Sequence, residues 1–452
     1  MKERIVILGA GESGTGAAVL AAAKGYEVFV SDMGVIKPQY KTELEKANIN
    51  FEEGSHTWER ISGAKLVIKS PGIPDKSETV KRLRAEGTEV IDEIEFGFRY
   101  TQGKVIAITG TNGKTTTTLL TYHLLKSAGY HVALAGNVGE SFARKIAEGK
   151  HDWYVIEVSS FQLDGTTTFK PQIGVLLNIT PDHLDRYEFQ LQNYVNSKFR
   201  LTQNMNGTNE FIYYADDEIV SREVSIRNLK TRATGVSLQK GNIHAVGGVM
   251  HFQFDKISFE INQADTTLRG PHNLINTMAA VTAAHFAGVA IPDIRSALKT
   301  FKNAAHRLES IATINGVEFV NDSKATNVDS VVYALGSYEQ PLIWIAGGID
   351  KGNDYRPIKD AVARKVKTLI CLGKDNQKLN AFFKGVVKEI KETQNVKELV
   401  RMALAVASKG DVVLLSPACA SFDLFKNYED RGNQFRNAVL ELKKEIENPI
   451  AS

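Results

Sequence analysis

The stretch Thr-Gly-Thr-Asn-Gly-Lys-Thr-Thr-Thr from Thr109 to Thr117 carries the working parts of a phosphate-binding loop. Gly110 and Gly113 let successive backbone N–H groups point inward at an anion. Lys114 supplies a compact cation for terminal phosphates, and the Thr115 hydroxyl is a ligand for Mg²⁺. The usual form, G-x-x-x-x-G-K-[ST], needs a glycine at 108, where this chain has Ile108. The glycine-rich arc is therefore shorter, but none of the chemistry is lost. A bare strand-to-helix turn would need the glycines and not the Lys-Thr pair. Glu157 ends the apolar run Trp-Tyr-Val-Ile-Glu, where a carboxylate is costly without a cation or hydrogen-bond donors, so it is a candidate ligand for Mg²⁺ on the phosphates. The N-terminal GAGESGTG, residues 9–16, followed by Asp32 at the end of the next β-rich run, is a dinucleotide fingerprint whose ordinary ligand is NAD.

Such residues act only if rigid elements hold them. RIVIL, YEVFV and KLVIKS alternate with helical patterns over the first hundred residues, and KVIAIT, WYVIEVSS and IGVLLNIT restart the alternation after Gly103. Strand and helix in alternation imply parallel sheets. Between about 211 and 262 short β runs surround a Gly247-Gly248 turn, and 271–302 reads as two helices. IATINGVEFV carries an Asn315-Gly316 hairpin signal, and PLIWIAGG, KTLICLG and DVVLLSPA each run into a polar or glycine-rich loop. The expected architecture is α/β in three domains: 1–100, N-terminal and Rossmann-like; 101–304, a central P-loop-type ATPase; and 305–452, C-terminal and Rossmann-like.

Length and composition agree with this. A chain of 452 residues exceeds what one core ordinarily fills. Lys plus Arg is 55 against 52 for Asp plus Glu, too balanced to suggest a nucleic-acid partner. No run of about 18 uncharged apolar residues suggests a membrane span, and the N-terminus lacks a signal-peptide core. Cys371 and Cys419 lie in apolar surroundings without ligand-like spacing and are read as buried thiols of a cytoplasmic protein. The chain is read as a monomer acting on small molecules.

The form G-T-N-G-K-T-T resembles the Mur ligase family, ATP-dependent enzymes that join an amino acid to a carboxylate through an acyl phosphate. The resemblance continues through SPGIP (70–74), AGNVG (135–139), EVSSFQL (157–163), NITPDHLDRY (178–187), HNLIN (272–276), HRLE (306–309), NDSKATN (321–327), GGIDKG (347–352) and LSPACASFDLF (415–425). SPACASFD, with no D-N-P-R string anywhere in the chain, is similar to the branch that adds D-glutamate to UDP-N-acetylmuramoyl-L-alanine in peptidoglycan precursor synthesis.

The resemblance implies a role for each matching residue. It turns the N-terminal fingerprint from an NAD site into one for the UDP of the acceptor, held by Ser13, Gly14, Thr15, Asp32, Ser70, Gly72 and Asn137. ATP falls to Gly110, Thr111, Asn112, Gly113, Lys114, Thr115 and Thr116, with Asn273, His306, Arg307 and Asp322 toward adenine, ribose and phosphates. D-glutamate falls to Thr326, Lys351, Ser416, Ser421 and Phe422. Two Mg²⁺ ions are implied, with Thr115, Glu157, His183 and Lys198 as ligands. Lys198 is a carbamate by resemblance, whereas spacing alone reads it as a solvated helical lysine. Lys114, His183 and Lys198 are the catalytic candidates. Taken without the family, Phe422 reads as core, and Asp322-Ser323 as the cap of the following helix. An NAD-dependent oxidoreductase, a sibling ligase and a non-catalytic nucleotide-binding module are the alternatives.

Overall fold

The computed structural model describes residues 2–448. Among them are three sheets. The first has five parallel strands in the order Asn50–Glu53, Glu27–Asp32, Arg4–Leu8, Leu66–Lys69, Glu89–Asp92. Its inner strands Arg4–Leu8 and Leu66–Lys69 are largely apolar because both faces are covered, whereas the edge strand Asn50–Glu53 is polar. Ile5 and Ile7 face one cluster with Ala17 and Ala21 of helix Glu12–Ala23, while Val6 and Leu8 face another. Each buried Ile, Val or Leu side chain here contributes about 1.5–3 kcal/mol.

The second sheet has nine strands. Strand Lys104–Thr109 lies inside it, with Ile173–Leu176 on one side and Trp153–Glu157 on the other, all parallel. The chain order turns around at this strand, which is where open α/β sheets place ligands. Strands Ile243–Val246, Val249–Phe254 and Ile257–Asn262 extend the sheet as an antiparallel edge. Gly247 and Gly248 turn the first hairpin with φ of +59° and +81°. The β character expected over 211–262 is interrupted by a helix, Glu218–Ile226, whose N-terminus is capped by the Asp217 carboxylate. The two expected helices are Pro271–Phe286 and Ile291–Leu298.

The third sheet has six strands in the order Glu309–Ile314, Val317–Asn321, Val412–Leu415, Leu342–Ala346, Val366–Leu372, Glu389–Thr393. Its first pair is the antiparallel Asn315-Gly316 hairpin and the rest are parallel. The helix after Asn321 begins only at Val328 and is capped by Asn327, whose side chain accepts from the Ser330 N–H at 2.8 Å. Asp322-Ser323 is therefore not its cap. Both residues remain in the loop at the strand end. Cys371 and Cys419 are buried free thiols.

The first two sheets belong to one compact unit, and the third sheet together with Leu268–Asn273 belongs to a second. Within the described residues no helix is long and apolar enough to cross a membrane.

Candidate functional site

The loop after strand Lys104–Thr109 is braced from the neighbouring segment. The Thr111 N–H donates to the Asn178 carbonyl at 2.9 Å, the Asn112 N–H to the Asn178 side-chain oxygen at 2.8 Å, and the Thr180 N–H to the Thr111 hydroxyl at 3.0 Å. Gly110 and Gly113 have φ of +152° and +84°. A Cβ on Gly113 would lie 2.4 Å from the Asn276 side-chain oxygen, so glycine is required there by conformation and by space. Gly113 starts helix Lys114–Ser127 without a side-chain cap. Helices Glu93–Tyr100 and Phe142–Glu148, by contrast, are capped by Asp92 and Ser141. A glycine at the cap position places no side chain of its own over the first turn, and a helix N-terminus favours an anion.

Two lysines converge on one carbonyl of this loop. Lys114 Nζ donates to the carbonyls of Gly110 and Thr111 at 2.9 and 2.8 Å, and Lys198 Nζ donates to Gly110 at 2.7 Å. Lys198, on helix Leu191–Phe199, is 1% exposed, not solvated, and its ammonium lies 4.6 Å from the centroid of Tyr194. Burial, reinforced by the nearby Lys114, pushes its pKa well below the ordinary lysine value. The amine is thus biased toward the neutral, nucleophilic form.

Glu157 closes the adjacent strand, paired in register with Ile108. It is buried, one carboxylate oxygen accepts from Asn137 Nδ2 at 2.9 Å, and the other has no hydrogen-bond partner. A buried carboxylate oxygen left in this way fits a cation. Among the described residues no group of three or more His, Cys, Asp and Glu side chains forms a metal cage. A single buried carboxylate with one oxygen open suits Mg²⁺, which is held by one or two carboxylates together with substrate phosphates and water. Thr115 lies in the first turn of the uncapped helix. His183 has φ of +52°, a half-exposed ring against Phe161 at 5.2 Å between centroids, and Nε2 at 3.6 Å from the Asp182 carboxylate.

The N-terminal glycine loop is built differently. Gly9 has φ of +90°, and a Cβ on Gly14 would lie 1.8 Å from the Gly9 carbonyl. The two carboxylate oxygens of Asp32 accept from the N–H groups of Ala10 at 2.6 Å and Gly34 at 2.7 Å, so Asp32 shapes the loop itself. Thr15 is fully buried, with its N–H on the Gly11 carbonyl, and it supports the turn from within. Gly11 leaves helix Glu12–Ala23 without a side-chain cap, with Ser13 and Gly14 in its first turn. The Ser70 N–H donates to Leu8 across the sheet, and the carbonyls of Pro71 and Gly72 accept from the Arg186 guanidinium at 3.1 and 3.2 Å.

In the second unit the expected residues cluster at the ends of parallel strands. The Asp322 carboxylate accepts from the Ser416 hydroxyl at 2.9 Å and from the Leu308 N–H at 3.2 Å. Burial raises its pKa to about 7 against these bonds. Ser416 is fully buried and thus touches Asp322, assigned to ATP, although its own sequence assignment is to the amino acid. His306 Nδ1 lies 2.9 Å from Asn321 Nδ2, and Arg307 is close enough to Asp322 to oppose its shift. Asn273 donates to the Arg269 carbonyl at 2.8 Å. The loop carrying Lys351 pairs with the loop carrying Ser421 through Ile349 and Ala420, and the Ala418 N–H donates to Ala325 beside Thr326. Lys351 is exposed, Ser421 buried, and Phe422 is 64% exposed. Phe422 is not core.

Sequence reading did not single out Asn178, Thr180, Tyr194 or Asn276, which shape the phosphate loop, nor Arg186 or Arg431. The signal available was polar residues inside otherwise apolar runs, such as Asn178 closing IGVLLN.

Comparison with known proteins agrees along the whole chain. Family models described as the MurD N-terminal domain, the Mur ligase middle domain and the Mur ligase glutamate ligase domain match residues 4–79, 108–284 and 306–419. The chain is 51% identical to a UDP-N-acetylmuramoylalanine–D-glutamate ligase of Cytophaga hutchinsonii, over 98% of this chain and 100% of that protein. It is also 51% identical to the protein of the same name from Bacteroides fragilis, over 97% and 100%. Among solved structures, the UDP-N-acetylmuramate-alanine ligase MurC of Thermotoga maritima aligns with a TM-score of 0.62 at 18% identity, covering 97% of this chain and 100% of that one. MurF ligase of the same organism, in complex with ADP, aligns with a TM-score of 0.61 at 15% identity, over 94% and 97%. At that identity the likeness concerns the fold.

Proposed function

The chain belongs to the Mur ligase family, and from that premise we propose that it is an ATP-dependent ligase that joins D-glutamate to UDP-N-acetylmuramoyl-L-alanine in peptidoglycan precursor synthesis. The observation that carries this reading is the arrangement at the ends of two adjacent strands. Lys114 and Lys198 meet at the Gly110 carbonyl, and Glu157, one strand away, holds an unpartnered carboxylate oxygen. An oxidoreductase has no use for this arrangement. The choice of D-glutamate is supported by relatives of that name at 45–51% identity over nearly the full chain.

A free carboxylate is a poor electrophile, so amide formation needs activation. The acceptor's L-alanyl carboxylate attacks the γ-phosphorus of ATP, and the β–γ bridging bond breaks to give an acyl phosphate and ADP. The amine of D-glutamate then attacks the acyl carbon, phosphate departs, and the ammonium proton passes to a base. The loop N–H groups and Lys114 bind and orient the terminal phosphates, which lowers the charge the attacking carboxylate must approach. His183 is the candidate proton acceptor where its basic nitrogen is not engaged by metal, the two roles being alternatives for one imidazole. Thr115, Glu157, His183 and Lys198 are the residues that would hold Mg²⁺, for which two ions are proposed. When bound, Mg²⁺ supplies positive charge that stabilises the transferring phosphoryl group.

Lys198 enters this set as a carbamate. Its neutral Nζ adds to CO₂ with loss of one proton, which turns an uncharged amine into an anion able to bind metal. The remaining N–H keeps a donor for Gly110. Asp32, Ser13, Gly14, Thr15, Ser70, Gly72 and Asn137 are assigned to the UDP acceptor, with Thr15 acting through the turn it supports. Asn273, His306, Arg307 and Asp322 are assigned to the nucleoside of ATP, and Thr326, Lys351, Ser416, Ser421 and Phe422 to D-glutamate. The three-domain division at 100 and 304, action as a monomer and a cytoplasmic location complete the proposal.

Phosphate release from ATP tests it directly. Release with UDP-N-acetylmuramoyl-L-alanine is expected to depend on D-glutamate and to be matched by product. Equal release with another amino acid, or none with any, rejects the reading.

A further inference from the structure

Arg431 lies in the first turn of helix Tyr428–Glu447 and is 1% exposed. Its guanidinium donates through Nε to the Ser323 hydroxyl at 2.9 Å and through Nη2 to the Ser323 carbonyl at 2.8 Å. Nη1 reaches the carbonyls of Gly347 at 3.3 Å and Cys419 at 3.2 Å. These acceptors belong to three separate loops, 321–327, 347–352 and 416–422, which leave the C-terminal ends of three strands of the third sheet. Three backbone carbonyls aimed at one point repel one another. A planar cation with donors on three sides turns that repulsion into attachment. Burying a guanidinium is expensive, yet burial lowers its pKa only to about 10, so the charge is kept at neutral pH. Asp423 and Asp322 act on it through space.

The next residue serves a different contact. A Cβ on Gly432 would lie 2.2 Å from His306 Nδ1, and the Gly432 carbonyl accepts from Asn321 Nδ2 at 3.1 Å. Gly432 therefore lets His306 pack against the helix, where Asn321 orients it.

We propose that Arg431 is a positioning residue for the amino-acid substrate: it sets the mutual placement of the three loops that present Thr326, Lys351, Ser421 and Phe422, while Gly432 beside it places His306 for the nucleotide. The inference rests on the proposed assignment of those loops to D-glutamate. It divides one helical turn into two functions that substitution can separate. A lysine at 431 has one ammonium in place of the fork and cannot serve three loops at once.

The test uses the full chain with Arg431→Lys, Arg431→Ala and Gly432→Ala. For each, kcat and the KM values for D-glutamate, ATP and the UDP acceptor are measured. Acyl phosphate formed without D-glutamate is trapped as a hydroxamate, and thermal melts report folding. Arg431→Lys is expected to raise the KM for D-glutamate by about tenfold to a hundredfold, the scale of lost charged hydrogen bonds. Its KM for ATP rises several-fold less than that for D-glutamate, because only one of the three loops, the one where Ser323 adjoins Asp322, also serves the nucleotide. Gly432→Ala is expected to do the reverse, raising the KM for ATP and leaving that for D-glutamate. If Arg431→Ala does not fold, Arg431→Lys decides. Parallel rises in both KM values for Arg431→Lys, or an unchanged KM for D-glutamate, overturn the inference. A parent chain that forms the hydroxamate but no D-glutamate-dependent product rejects the assigned substrate instead.

Discussion

The chain carries two glycine loops that look alike in sequence and differ in chemistry. Each follows an inner strand whose neighbours on both sides are parallel, and each starts a helix with no side-chain cap. Around 9–16 the charged residues are Asp32, whose two oxygens are taken by loop N–H groups, and Glu12, which is paired with Arg144 and accepts from the Ser141 N–H. Around 109–117 the charged residues are two lysines on the Gly110 carbonyl, with the half-satisfied Glu157 one strand away. On the proposed assignments the first loop would cradle the acceptor's diphosphate, and the second carries the charges that phosphoryl transfer uses. Glycine spacing reports backbone conformation, which the two share. The surrounding charges determine which of them can do phosphoryl chemistry.

Removing the cation from the second loop is expected to have the largest effect. Lys114→Ala should lower kcat by about a thousandfold or more, with an unchanged melting temperature, because the lysine meets charge that develops in the transition state. Turnover within tenfold of the parent at saturating ATP would end the assignment of the loop.

Lys198→Ala is next. Activity should fall by about a hundredfold or more, and added acetate should restore part of it by standing in for the carbamate carboxylate. ¹³CO₂ labelling offers a readout separate from turnover: a carbamate signal present in the parent and missing in the variant. No signal in an active parent removes the carbamate from the proposal.

Asp32→Ala tests the other loop. Losing the acceptor for two N–H groups should raise the KM for the UDP acceptor by about tenfold, as expected for one or two hydrogen bonds to a charged group, and leave the KM for ATP unchanged. A change in ATP affinity would mean that the two loops are not independent.

The smallest effect concerns the seam between the first two sheets. Glu93 accepts from the Ala143 N–H, its other oxygen has no partner, and burial raises its pKa to about 8, with neighbouring Asp92 adding to the shift. Between its ordinary carboxylate range and pH 8 the native state retains a proton that the unfolded chain has released. Stability should therefore fall as pH rises through that window. Glu93→Gln should reduce the slope but not abolish it, because burial also raises the pKa of Asp92 to about 7, with a gain on the order of 1–3 kcal/mol at pH 8.5 and little change at pH 5. Parallel pH profiles for the two proteins would show that Glu93 does not titrate there.

Much of this protein was legible as a string because the relevant properties are local. Apolar runs ending in glycine loops specify parallel strands feeding helices, Asn315-Gly316 specifies a left-handed turn, and Gly110 to Thr115 specifies a phosphate loop whether or not position 108 is glycine. What the string left open depends on residues far apart in it. The periodicity of the helix carrying Lys198 permits an exposed lysine. Only the packing of that helix against the Gly110 loop buries the amine and biases it toward its neutral form. Asp322-Ser323 satisfies the rule for a helix cap, yet the hydrogen bond from the Ser416 hydroxyl, 94 residues away, and the backbone bond to Leu415 hold Asp322 at the strand end, and Asn327 takes the cap. Phe422 has the composition of a core residue, and tertiary structure leaves it facing solvent. Arg431 has no local signature, because its role consists of three acceptors gathered from 84 to 108 residues upstream and 12 residues upstream. Local pattern sets backbone conformation and the chemical inventory. Burial and long-range hydrogen bonding, which exist only once the chain is folded, decide the charge state and orientation of each group.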